Sequence, residues 1–114
     1  MFAAEQEDGY TQLIEGIEIK TLVYGEKTLT AKFRLARGSV LPHHSHPHEQ
    51  TGYLIAGKMR FVVADEVHLA LPGSSWCIAG GEEHSAEVLE DSVVIEVFSP
   101  MREEYLPERL QRKS

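Results

Sequence analysis

Apolar and polar side chains alternate at period two along much of this chain. From Thr28 to Leu35 the residues Leu29, Ala31, Phe33 and Leu35 take every second place, the pattern of a strand with one buried face and one wet face. The alternation returns in Lys58-Met59-Arg60-Phe61-Val62-Val63 and, more weakly, from Glu66 to Leu71, before Pro72-Gly73 turns the chain. Further strands are predicted over 17–24, 51–55, 75–78, 85–89 and 93–98, each bounded by Gly, Pro or acidic turn residues. Many short strands without a helical period between them point to an all-β sandwich or barrel. The tail is the exception. Ser99 reads as an N-cap and Pro100 as a first helical residue, with Glu103 and Glu104 favouring the helix dipole, so a short helix or turn is expected before Pro107. Residues 1–12 lack a sustained pattern and read as a flexible N-terminal arm, free to pair with another subunit, which leaves 13–114 as the folded domain.

Composition narrows the partners. A chain of 114 residues holds one hydrophobic core, and 42% hydrophobic with 25% charged residues is the balance of a folded protein rather than a disordered one. The net charge is -7, and the basic residues cluster nowhere except at Arg109, Arg112 and Lys113, so no nucleic acid is expected as a partner. The opening Met1-Phe2-Ala3-Ala4-Glu5-Gln6-Glu7-Asp8 is acidic where a secretory leader would be basic, and no apolar stretch approaches membrane-spanning length. A cytoplasmic protein without membrane contact is the expectation. Cys77 is the single cysteine, which rules out an intrachain disulfide, and it is expected to fill space in the core. Apolar residues on both parities of 93–97, and at Val62 and Val63, exceed what one barrel interior needs; a homodimer is expected to cover the surplus.

The candidate chemistry lies in Pro42-His43-His44-Ser45-His46-Pro47-His48-Glu49-Gln50. In an extended segment His44 and His46 project to one face, where two imidazoles can meet one ion, and His43 points away. Gln50, after a kink at Pro47, can add a neutral amide oxygen. A fourth ligand has to come from elsewhere, and His84 is the candidate because Gly80-Gly81 forms a turn able to bring a later strand against an earlier one. His48 or Glu49 could enter the shell instead if Pro47 sets the kink differently, whereas His68, alone in a strand, reads as an ordinary side chain. Three neutral imidazoles and an amide would leave both positive charges of a divalent ion uncompensated, so its open positions should favour a small anionic or chelating oxygen ligand. Imidazole-rich shells suit Zn, Ni, Fe or Cu, mixed nitrogen and oxygen donors keep Mn, and Gln50 argues against the 2-His-1-carboxylate iron site. Glu96 is the other candidate. It stands in an otherwise apolar strand, where a carboxylate is costly to bury unless it is paired or has a task, and Arg102 is its expected partner. The alternative is a Glu96 that faces solvent at a sheet edge.

Two spacings carry a family resemblance. Gly38, five residues, His44-Ser45-His46, three residues, Gln50, six residues, Gly57 resembles the first motif of the cupins, with Gln where Glu is usual. Gly73, five residues, Ala79-Gly80-Gly81, two residues, His84 resembles the second, with Ala79 in the usual Pro place and Val88 where Asn is frequent. The glycine framing and the distant His84 weigh against a solvated histidine loop that binds only adventitious metal. The stretch from Glu96 to Leu106, taken with the 44–50 run, resembles the KdgF group of small cupins, which help open unsaturated uronate monomers to the linear keto form in pectin and alginate breakdown.

The resemblance implies a single-domain cupin β-barrel, also called a double-stranded β-helix or jelly roll, with one divalent metal ion (Zn, Ni, Mn or Fe) on His44, His46, Gln50 and His84. It also implies an active-site Asp, Phe and Arg. Phe98 and Arg102 hold the last two places, and Glu96 stands for the Asp, one methylene longer. On that pattern Glu96 moves a proton, Arg102 acts in catalysis and binds the substrate carboxylate, and Phe98 supplies a dry wall. The expected function is a metal-dependent lyase or isomerase on a small carboxylate-bearing sugar. Two other readings use the same residues: a non-catalytic cupin that holds a metal and a small anion, and a metal-dependent dioxygenase.

Overall fold

The computed structural model describes residues 1–111, so the basic pair Arg112 and Lys113 and the end of the expected domain lie outside the described residues. Among the described residues eight strands form: β1 (Thr11–Ile14), β2 (Ile17–Tyr24), β3 (Leu29–Leu35), β4 (Val40–His44), β5 (Glu49–Val63), β6 (Glu66–Ala70), β7 (Ser75–Ile78) and β8 (His84–Ser99). They make one antiparallel sheet in the order β1-β2-β3-β8-β5-β6, with β4 added to β8 and β7 added to β5. The all-β architecture is the one the alternation predicts.

Two long strands close the sheet on itself. The first part of β8 lies between β4 and the end of β5, with Ala86 opposite both Leu41 and Phe61. Its second part lies between β3 and the start of β5, with Val94 opposite both Phe33 and Leu54. Inward residues of both parts meet in one core that includes Ile17, Leu29, Phe33, Leu54, Met59 and Phe98. Such a wrapped antiparallel sheet leaves its interior open at one end, where loops and strand ends can build a site.

Several expectations change in detail. The predicted segments 51–55 and 58–63 are two parts of β5, and 85–89 and 93–98 are two parts of β8. Gly57 does not end a strand; it is a bulge with φ of 101°, and a Cβ there would lie 2.1 Å from Ser92 Oγ and 2.4 Å from Asp91 O. Only glycine fits that backbone and that approach. β1 begins at Thr11, inside the expected arm, and just before it the Arg34 guanidinium stands 3.6 Å from the Tyr10 ring centre.

Ser99-Pro100 opens no helix: the peptide is cis and Arg102 is still extended at φ -84° and ψ 103°. A single 3-10 turn, Glu103–Tyr105, follows, and it is Pro107 that takes the first place of α1 (Pro107–Gln111). Cys77 is exposed rather than core, because the inward parity of β7 belongs to Ile78. No helix among the described residues is long and apolar enough to cross a membrane.

The C-terminal turn closes one side of the barrel with Tyr105, which is 9% exposed and meets Phe98 edge-on at 5.3 Å and Phe33 at 6.1 Å. Burial pushes its phenol up to about 12. An unfolded tyrosine ionises near pH 10, so the unfolded chain sheds this proton first as pH climbs. The burial contribution is therefore whole below pH 10 and disappears as pH rises through 12, a loss of about 3 kcal/mol at full ionisation, of which about 2 kcal/mol has gone by pH 11.5. Urea unfolding at pH 9 and pH 11.5 should show that loss in the wild type and a smaller one in Tyr105→Phe.

Candidate metal centre

His44 ends β4 and His84 opens β8, and the β4–β8 register sets them directly opposite each other. Their rings are 4.2 Å apart. His46 follows in the loop, with its ring 5.1 Å from His84 and 5.8 Å from His44. That loop is pinned as the glycine pair suggests: Gly81 N–H donates to His46 O at 2.7 Å, and Gly80 lies so close to Pro47 that a Cβ would stand 2.3 Å from its carbonyl oxygen. His46 is 8% and His84 5% exposed, which removes the solvated-loop reading for both.

The three histidines offer ligand atoms that all lie within 4.8 Å of one another, so they are positioned to bind a metal ion. Their surroundings suit that role. His44 Nδ1 meets the Pro42 carbonyl at 2.7 Å and His84 Nδ1 meets the Glu82 carbonyl at 2.9 Å. Each carbonyl accepts the Nδ1 proton, which leaves the Nε2 lone pair for an ion. Burial, above all, pushes the His46 and His84 pKa values down, and the nearby Arg102 charge acts in the same direction on both. The neutral imidazole is the form a metal takes.

Gln50 and Glu96 join this cluster from the facing strands. Gln50, 5% exposed, is an inward residue at the start of β5, and its Oε1 lies 2.6 Å from His46 Nε2. Its amide Nε2 donates to Glu96 Oε2 on β8. With the ring proton displaced by a metal, His46 Nε2 and Gln50 Oε1 would turn lone pairs to the same side, so the donor set fits a divalent ion. Glu96 is not an edge residue in solvent. Burial pushes its carboxyl up to about 7, against the opposing pull of the Trp76 and Gln50 hydrogen bonds and of Arg102.

Glu96 does not pair with Arg102 as expected. Its register opposite Gly52 sets it beside Trp76, whose Nε1–H donates to Glu96 Oε2 at 3.2 Å. Arg102 instead reaches Glu104, at 3.4 Å through Nε and 3.3 Å through a terminal nitrogen. Its guanidinium lies 4.4 Å from the Tyr105 ring centre and 5.2 Å from that of Phe98, a cation held over aromatic faces.

A narrow cleft is lined by His44, Gln50, His84, Glu96, Phe98 and Arg102, with Trp76 and Tyr105 among its walls. The structure thus brings the sequence-derived candidates to one place. It leaves the others out: Glu49 is exposed beside Cys77, at 3.6 Å, and His43 points outward to Glu83 at 2.7 Å. His68 is exposed near Glu66 at 3.8 Å. His48 stands next to His46, rings 5.8 Å apart, outside the three-histidine group. Trp76 escaped the sequence reading, because either parity of Ser75–Ile78 could have faced inward.

Comparison with known proteins agrees with this fold. Residues 31–99 match the cupin domain family, Cupin_2. The pectin degradation protein KdgF of Dickeya dadantii is 28% identical over 104 residues, spanning 90% of this chain and 94% of that protein. The structure of KdgF from Halomonas sp. superposes with a TM-score of 0.88 at 29% identity, over 93% of this chain and 98% of that one. An RmlC-like cupin from Shewanella frigidimarina superposes with a TM-score of 0.87 at 21% identity, over 92% of this chain and 95% of that one, a likeness of fold.

Proposed function

This chain belongs to the cupin domain family, and from the side chains its barrel gathers we propose that it is a metal-dependent lyase or isomerase that opens a small unsaturated uronate to the linear keto form. The observation that carries this reading is Gln50. Its oxygen lies against His46 and its nitrogen holds Glu96, so the metal-binding side chains and one desolvated carboxyl share a single wall. The similarity to proteins named KdgF, one of them described as acting in pectin degradation, supports the substrate class.

His44, His46, Gln50 and His84 would hold the ion, and their donors suit Zn, Ni, Mn or Fe. A divalent ion there supplies Lewis-acid polarisation of a substrate oxygen. The chain's own groups do the rest. Opening a cyclic unsaturated uronate removes the anomeric hydroxyl proton, breaks the ring carbon–oxygen bond and returns a proton to the alkene carbon, with no net gain or loss of atoms. Glu96 is the cleft carboxyl able to accept the first proton and deliver the second. Arg102, its side chain 12% exposed, turns from Glu104 to the substrate carboxylate, where a planar guanidinium pairs in bidentate fashion. Phe98, buried beneath it, excludes water.

The test is direct. Metal-loaded protein mixed with an unsaturated uronate monomer should speed the decay of the alkene absorbance, and chelation should stop it. No gain over buffer with any of the four metals ends the reading.

The homodimer belongs to the same proposal. Tyr53 and Ile55 are exposed on the outer sheet face, and Tyr53 pairs across to Ile95, giving an apolar band suited to a second copy of the chain. Light scattering is expected to read twice the 12.8 kDa chain mass; a monomer at high concentration would remove this part.

A further inference from the structure

One rung of the sheet crosses the cleft wall through Gly52. In β5 it is paired with Trp76 of β7 on one side and with Glu96 of β8 on the other. All three share the inward parity of Gln50, Leu54, Ile78 and Phe98. A side chain at position 52 would stand between its two neighbours. A Cβ built there lies 2.2 Å from both Nε1 and Cε2 of the indole. Its absence lets the Trp76 ring lie across the strand and bring Nε1–H to Glu96 Oε2 at 3.2 Å. Phe61 packs on the indole, ring centres 4.6 Å apart and planes tilted by 43°.

Two donors, the indole N–H and the Gln50 amide, therefore converge on the same carboxylate oxygen, Oε2. The other oxygen, Oε1, is the one these donors do not take. A glutamate side chain has three rotatable bonds, and a carboxylate clamped at one oxygen from two directions presents the other at a fixed place. Bulk alone does not explain the arrangement: a tryptophan that only filled the barrel would need neither a bare strand partner nor an N–H aimed at an acid.

We propose that Trp76 is a positioning residue, whose indole N–H, admitted by Gly52, holds the carboxylate of Glu96 in the orientation that proton transfer requires. The inference rests on the reading of Glu96 as the proton-transfer group. It assigns Trp76 to the chemical step and leaves substrate capture to Arg102, so the two residues should separate in kinetics.

Trp76 is the single tryptophan of the chain, and zinc-loaded, nitrogen-15-labelled protein should give one indole N–H resonance. That resonance is expected downfield of a solvent-exposed indole, slow to exchange, and displaced by Glu96→Gln. In Trp76→Phe, which keeps an aromatic ring but no donor, kcat should fall about 10- to 100-fold while KM and bound metal stay unchanged. Gly52→Ala should reproduce the kcat loss and move the indole resonance toward the exposed position.

An indole signal at the exposed position that ignores Glu96→Gln overturns the inference, and so does a Trp76→Phe enzyme with full kcat. If Trp76→Phe does not fold, the wild-type and Glu96→Gln spectra decide. Wild-type protein without turnover sinks the functional reading instead, whatever the indole does.

Discussion

Glu96→Ala should reduce turnover of an unsaturated uronate by about 10²- to 10⁴-fold while the protein keeps its metal. The expectation follows from where the carboxyl sits. None of the three clustered histidines depends on it: His44 and His84 are held by backbone carbonyls and His46 meets Gln50. What the substitution removes is the acid group on the cleft wall, and general acid–base assistance is worth about that factor. Elemental analysis alongside the absorbance assay separates the two roles. Loss of metal with loss of activity would mean that Glu96 serves the ion, and full activity would mean that the proton moves elsewhere.

His84→Ala should weaken metal binding by more than about 100-fold, since even residues that merely support a ligand account for 10- to 100-fold. Losing one of three converging imidazoles leaves His44 at the end of β4 and His46 in the loop after it, with no imidazole opposite them on β8. Metal that binds only the folded chain raises its melting temperature by mass action. Wild-type protein should therefore melt higher with added metal and lower with chelator, and the variant should melt the same in both. A variant that retained a full equivalent of metal would place the ion away from this cluster.

The site was legible in the sequence where strand parity alone fixes direction. His44 and His46 share a face because they are two residues apart in extended chain, and Gly80-Gly81 marks the turn that seats His84 against them. The family spacing then supplied Phe98 and Arg102, which both line the cleft. Parity fails where both faces carry plausible core residues. In Ser75-Trp76-Cys77-Ile78 either parity could have been inward, and only the pairing of β7 with β5 settles that Trp76 and Ile78 face in while Cys77 faces out.

Partners across strands were the least visible. Arg102 is near Glu96 in sequence, yet Glu96 finds Gln50 and Trp76, 46 and 20 residues away. Local sequence holds no record of such register. The same limit hid the long strands: Gly57 looks like a terminator in sequence, whereas the barrel uses it to bend β5 around β8.

The Gln50 amide has a bearing on its own identity. Related motifs usually carry an acid at this place, but an acid here would turn a second negative oxygen toward Glu96 where the present side chain turns a hydrogen. Two desolvated carboxylates at that separation cannot both stay ionised. The choice between oxygen and nitrogen at one atom of residue 50 thus decides whether residue 96 can stay ionised beside it or must share a proton with it.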